Sequence, residues 1–219
     1  MFIGHYALAF GAKRLAPRTS LGTLFAAAQF ADLLWPAFLL LGWEQVSPGD
    51  HGFTALTFTS YPWSHSLLMS LVWAAVFAVV YHAARGDRQA AVVVGVLVFS
   101  HWVLDYITHV PDLPLYPGGS TRVGLGLWRS ESATLVIECA MFVAGIALYV
   151  TATRARDWVG RYMLWVMIAL LLAIYFSSLG PPPHDMRLLA WFALAGWLFP
   201  FWAAWCDRHR DTILADPRR

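Results

Sequence analysis

The feature that most restricts this chain is a succession of six apolar stretches, residues 20–43, 66–84, 89–108, 132–152, 159–179 and 187–205. Each approaches the roughly 20 residues a helix needs to cross a bilayer, where hydrocarbon offers backbone polar groups no partner outside the helix itself. The first 12 residues, MFIGHYALAFGA, make a seventh apolar piece too short to cross. Nothing between the stretches is long enough for a soluble domain, and no internal repeat is visible. Only 13% of the residues are charged, against about 25% in ordinary soluble domains, and 59% are hydrophobic. Twelve Trp suit two membrane interfaces, where amphipathic rings settle. The expected fold is all-α: a polytopic transmembrane helix bundle of about six spans plus a short N-terminal half-helix, forming one integral membrane domain over residues 1–219.

Several function classes drop out. A formal net charge of +2, scattered along the chain, offers no nucleic-acid surface. Cys139 and Cys206 stand in separate apolar runs and give no disulfide framework or CxxC signal. At the N-terminus the basic residues follow the apolar stretch and no small-residue cleavage site closes it, so this segment is expected to stay in the mature protein. The sequence does not reveal an oligomeric state.

Basic residues orient the spans. Lys13, Arg14 and Arg18 precede the first; Arg85 and Arg88 lie between the second and third; Arg154, Arg156 and Arg161 lie between the fourth and fifth; Arg208, Arg210, Arg218 and Arg219 form the tail. The alternate loops are poorer, with no Lys or Arg at all in residues 44–65. The positive-inside rule then predicts both termini in the cytoplasm. At 1.5 Å per helical residue, Asp32 and His101 lie about 18 Å above the cytoplasmic edge, Asp105 about 24 Å, and His5 about 12 Å if its short helix dips in from Lys13. His65 lies at the outer mouth of the second span.

Ionisable side chains inside a membrane are costly and tend to mark function. In SHWVLDYITHV, His101, Asp105 and His109 fall at helical spacing on one stripe. An HxxxD pair presents an imidazole and a carboxylate to one cation; the plainer alternative is a hydrogen-bond cluster that fastens the bundle. His109 stands at the helix exit and is a possible extra ligand or an ordinary loop histidine. Asp32, in AQFADLLWP, is a lone carboxylate that a cation would relieve of its burial penalty. His65, in SYPWSHSLL, and His5, in FIGHYALAF, complete a candidate ligand set of His5, Asp32, His65, His101 and Asp105. Three His and two Asp suit a divalent metal, Zn²⁺ first, with Mn²⁺ or Fe²⁺ compatible. The surplus of donors allows either two metals or one metal with a spare carboxylate.

Glu138, in the fourth span, reads as a further ligand, a partner of a ligating His, or a general base; Asp105 is the other candidate catalytic carboxylate. The loop PDLPLYPGGSTRVGLGLWRSE carries Arg122, Trp128 and Arg129, residues able to hold an anionic headgroup, although a plain connector would read alike. His51, His82, His184 and His209 read as interfacial or loop residues.

The ordered series GHYALAFGAK, AQFADLLWP, PWSHSLLMSL, SHWVLDYITHVPDLPLYPGGS and GLGLWRSESATLVIE resembles the bacterial membrane-bound metal-dependent hydrolase family, inner-membrane proteins once linked to LexA binding. The resemblance covers roughly residues 1–140. It implies a helical protein of the bacterial inner membrane, with His5, Asp32, His65, His101 and Asp105 at the family's polar positions. The leading expectation is a metal-dependent hydrolase of a membrane lipid or lipid-linked ester near the outer leaflet, a phosphoester being favoured. A metal-ion or small-solute transporter with intramembrane ligands is the first alternative, and a haem protein with axial histidines the second.

Overall fold

The computed structural model describes residues 1–49, 53–181 and 185–213, so His51 and His184 lie outside the described residues. Helices α1 (Ile3–Ala12), α2 (Leu21–Ala28) and α3 (Phe30–Leu40) lead into a hairpin of β1 (Gln45–Pro48) and β2 (Leu56–Ser60). After it come α4 (Pro62–His65), α5 (Leu67–Arg85) and α6 (Arg88–Thr108). Two short strands, β3 (Leu113–Pro114) and β4 (Arg122–Val123), precede α7 (Glu131–Ala152) and β5 (Thr153–Ala155). The chain ends in α8 (Leu164–Ser177), α9 (Met186–Leu194), α10 (Leu198–Arg208) and β6 (Arg210–Thr212). Among the described residues, five helical segments are long and apolar enough to cross a membrane, and α2 with α3 passes the same test as a pair bent by 57°. The all-α bundle is therefore as expected, and the first predicted span is two helices that meet at a sharp bend.

Each helix starts and stops where its sequence supplies the means. Ser20, Ser66, Asp87, Ser130 and Asp185 cap α2, α5, α6, α7 and α9 by accepting first-turn backbone N–H groups. Gly86, at φ 68°, takes the left-handed turn that ends α5, and Asp87 at once opens α6. Close packing then needs small residues. A Cβ on Gly95 of α6 would meet the Ala78 Cβ of α5 at 3.1 Å, and one on Gly145 of α7 would lie 2.4 Å from the Ala7 carbonyl oxygen of α1. Small-residue contact of this kind is how helices approach in lipid.

The short N-terminal helix is the centre of the molecule. Ile3, Gly4, His5, Tyr6, Ala7, Ala9, Phe10 and Ala12 are all buried, so α1 is enclosed nearly all round by other helices. Its Phe10 ring sits among Phe25, Phe142 and Tyr149, with centroids 5.0, 6.0 and 5.4 Å away. At its C-terminal end the Lys13 ammonium donates to Asp207 of α10 at 2.6 Å and to the Thr19 carbonyl at 2.9 Å. Asp207 also accepts from the Tyr149 hydroxyl and the Leu21 N–H. Lys13, one of the basic residues before the first predicted span, is thus buried and paired. Outside, Val79, Val92, Val136, Val143, Phe192 and Phe201 are well exposed, the apolar surface expected of a lipid-facing bundle.

The β hairpin was not expected in residues 44–65. Its antiparallel register sets Gln45 opposite Ser60. The closed hairpin therefore returns the chain to Glu44 and delivers Tyr61 and α4 against the end of α3.

Candidate metal centre

The five expected ligands converge beyond the N-terminal end of α1. His5 comes from α1, Asp32 from the first turn of α3, His65 from α4, and His101 and Asp105 from adjacent turns of α6. His101 Nε2 lies 3.1 Å from Asp105 Oδ2 and 3.8 Å from Asp32 Oδ1. His65 Nε2 lies 3.3 Å from Asp32 Oδ1 and 3.8 Å from Asp105 Oδ2. His5 Nε2 approaches the other oxygen of Asp105 at 3.1 Å, and its ring stacks on His101 at 3.7 Å. Asp105 Oδ1 also receives the Met1 amino group at 2.8 Å.

The break between α2 and α3 helps to hold this arrangement. The last carbonyls of a helix lack partners within it, and here His101 Nδ1 donates to the Ala28 carbonyl oxygen at 2.8 Å. Because a carbonyl can only accept, Nδ1 carries a proton, and it is the neutral form of the ring that would present a bare Nε2 to the carboxylates. That Nε2 is buried and has no well-aligned hydrogen bond, and His5 Nδ1 is likewise without a partner among the described residues.

The residues fit a divalent cation. Donors about 2.0–2.2 Å from a tetrahedral zinc are roughly 3.3–3.5 Å apart from one another. The four His–Asp separations among Asp32, His65, His101 and Asp105 run from 3.1 to 3.8 Å. The donors fall into two groups that share His101, namely His5–His101–Asp105 and Asp32–His65–His101, each with its ligand atoms within 4.8 Å of one another. Two carboxylates in this setting need a compensating charge. His65 and His101 are buried, as are His5 and Asp105, whereas the Asp32 side chain is 37% exposed, so the cluster opens at Asp32.

The remaining candidates lie elsewhere. His109 leaves the stripe because α6 ends at Thr108 and the backbone turns extended, with ψ 147°. Its Nδ1 lies 3.0 Å from Asp112, which also accepts from the Tyr61 hydroxyl at 2.6 Å, and its ring packs on Trp128 with centroids 4.0 Å apart. Burial lowers the His109 imidazole below its ordinary range, outweighing the nearby Asp112 carboxylate. Glu138 is fully buried, and its Oε2 accepts from Phe2 and Gly4 N–H at 2.9 and 3.3 Å, which fastens the start of α1. Trp128 is buried behind His109, whereas Arg122 and Arg129 are exposed on the loop between α6 and α7. Arg122 donates to the Gly119 carbonyl at 2.7 Å. Glu131 stands exposed at the start of α7, and His82 is exposed near the end of α5.

Glu44 escaped the sequence reading. Glu44 is 2% exposed, and its Oε1 accepts from the Trp63 and Ser64 N–H groups at 2.8 Å each. Its Oε2 accepts from the Ser64 hydroxyl at 2.7 Å, and that hydroxyl contacts His65 Nδ1 at 2.6 Å. Burial pushes the Glu44 carboxyl up, and the His65 ring and these donors pull the other way. The signal available in the sequence was an acid in a long segment with no Lys or Arg to pair it.

Residues 2–181 match the family described as YdjM inner membrane protein. No curated protein and no solved structure matches the chain.

Proposed function

From the premise that the chain belongs to the YdjM inner membrane protein family, and is a multi-pass protein of that membrane, we propose that it is a metal-dependent hydrolase. Its substrate would be a lipid or lipid-linked ester, with a phosphoester favoured, and its cation zinc, with manganese or iron compatible with the donors. The observation that carries this reading is the meeting of His65, His101, Asp32 and Asp105 at 3.1–3.8 Å, with the His101 proton held away on Ala28. The donors allow one cation or two, since His101 belongs to both the His5–His101–Asp105 and the Asp32–His65–His101 groups.

Such a cation, when bound, supplies a water acidic enough to ionise near neutral pH. The protein's own residues do the rest. Asp105 is held through its Oδ1 by His5 and the Met1 amine. Asp32 faces the opening, and its second oxygen is the one available to take up a proton. Glu138, committed to the start of α1, supports the position of His5. Arg122 and Arg129, exposed on the outer loop, would steady an anionic headgroup. The basic ends Lys13, Arg14, Arg85, Arg88, Arg154 and Arg156 favour termini in the cytoplasm, which puts the site in the outer half of the bilayer.

The test is hydrolysis of phosphoester and carboxylester lipids in vesicles by the purified protein. Activity that disappears with a chelator, returns with Zn²⁺ and is abolished in Asp32→Asn supports the reading; chelator-insensitive activity overturns it. The broken α2–α3 helix beside the cluster favours one second reading, an ion or solute carrier, since interrupted helices build transport sites. Metal-driven solute or ion uptake into proteoliposomes would support that reading.

A further inference from the structure

Glu44, Ser64 and His65 form a buried chain of side-chain contacts behind the cluster. The hairpin closes Gln45 onto Ser60, so Glu44 and α4 come together although they stand about 20 residues apart in sequence. The three side chains are 2%, 1% and 5% exposed. The Ser64 hydroxyl has one proton. A carboxylate can only accept, so that proton goes to Glu44 Oε2 at 2.7 Å. The hydroxyl oxygen then meets His65 Nδ1 at 2.6 Å as an acceptor, and Nδ1 must carry the ring proton.

We propose that Glu44 is a positioning residue: through the Ser64 hydroxyl it holds His65 in the tautomer that turns a bare Nε2 toward Asp32 and Asp105. The purpose of that tautomer rests on the cation site proposed above; the tautomer itself does not. The arrangement repeats at His65 what the Ala28 carbonyl does for His101, with a side-chain relay in place of a backbone oxygen. Both rings then present Nε2 to the same two carboxylates. The simpler role, in which Glu44 merely satisfies the first N–H groups of α4, uses Oε1 alone and leaves the Oε2–Ser64–His65 chain unexplained.

Two substitutions separate the roles. In Ser64→Ala the helix start keeps Glu44 and the relay is cut. In Glu44→Gln the amide oxygen still accepts the backbone N–H groups, while the amide NH₂ donates to the hydroxyl and turns the Ser64 proton onto His65 Nδ1. The full chain, purified in detergent, stripped of metal and labelled with [¹⁵N]histidine, is compared at pH 8 by imidazole nitrogen shifts, with His65 assigned by loss in His65→Asn. The expected result is Nδ1–H in the wild type and in Ser64→Thr, and a shift to Nε2–H in Ser64→Ala and Glu44→Gln. An Nε2–H ring in the wild type, or an unchanged ring in both relay variants, overturns the proposal. Competition with a chromogenic chelator reads the consequence: Zn²⁺ binding should weaken about 10- to 100-fold in both variants and be retained in Ser64→Thr. Unchanged binding beside a changed tautomer overturns the positioning role. Failure of the cation site reads differently, as a wild type that binds Zn²⁺ no better than His101→Ala while its His65 tautomer still depends on Ser64.

Discussion

Gly145→Ala should damage the metal centre from the far side of α1. A Cβ at this position would lie 2.4 Å from the Ala7 carbonyl oxygen, 2.7 Å from its Cα and 2.9 Å from its carbonyl carbon. All three atoms are backbone, so no rotamer change relieves the clash, and ordinary contact begins at 3.4 Å. The helix α1 must therefore retreat from α7 by about 1 Å to restore van der Waals separation. It has nowhere to go freely, because α2 and α6 enclose it and Glu138 grips its first N–H groups. Overpacking of this kind costs about 1–3 kcal/mol, which lowers the melting temperature of a chain this size by roughly 2–10 °C. His5 lies two residues from Ala7 on the same rigid helix, stacked on His101. An ångström of displacement there should weaken Zn²⁺ binding on the order of tenfold or more. The assay pairs thermal unfolding in detergent with chelator competition. Gly196→Ala is the control, since its Cβ would meet only Leu33 Cδ2 at an ordinary 3.6 Å. If Gly145→Ala melts and binds zinc like the wild type, the rigid coupling of α1 to the site is refuted.

Two other predictions follow from charges away from the cluster. His109 is held neutral by burial, so its folded pKa lies below the unfolded value near 6.5. As pH falls below about 6.5 the unfolded chain takes up a proton that the folded chain refuses, and stability declines by at most about 1.4 kcal/mol per pH unit until the folded pKa is reached. Unfolding in detergent between pH 7 and 5 should show this slope reduced in His109→Gln; an identical slope would contradict it. Lys13→Met leaves Asp207 as an uncompensated buried charge and should cost about 3–5 kcal/mol. The double variant Lys13→Met/Asp207→Asn should lose less than the single one, by thermal unfolding; a double variant at least as unstable would show that the charge is not what matters.

The parts of this molecule legible in sequence are those that lipid makes expensive. Apolar runs reveal spans because unpaired backbone polar groups cannot stand in hydrocarbon. Asp32, His101 and Asp105 were visible for the same reason, as ionisable groups where none is expected. What could not be read depends on contacts distant in sequence. The bend at Gln29 has no Pro or Gly to announce it; the Ala28 carbonyl is satisfied by His101, 73 residues away. Glu44 looked like an ordinary loop acid, because only the hairpin register brings it to Ser64. His109 fitted the i, i+4 stripe of His101 and Asp105, yet the helix stops one residue before it, and Asp112 and Trp128 take the ring instead. The burial of Lys13 against Asp207, 194 residues away, carried no local sign.

The central claim is that three histidines and two aspartates of different helices form one cation site. Elemental analysis of the purified chain, wild type against His101→Ala, tests it most directly. Bound divalent metal, one or two ions per chain, is expected in the wild type and none in His101→Ala of equal purity and folding. A metal-free wild type, or a variant that retains its metal, would contradict it.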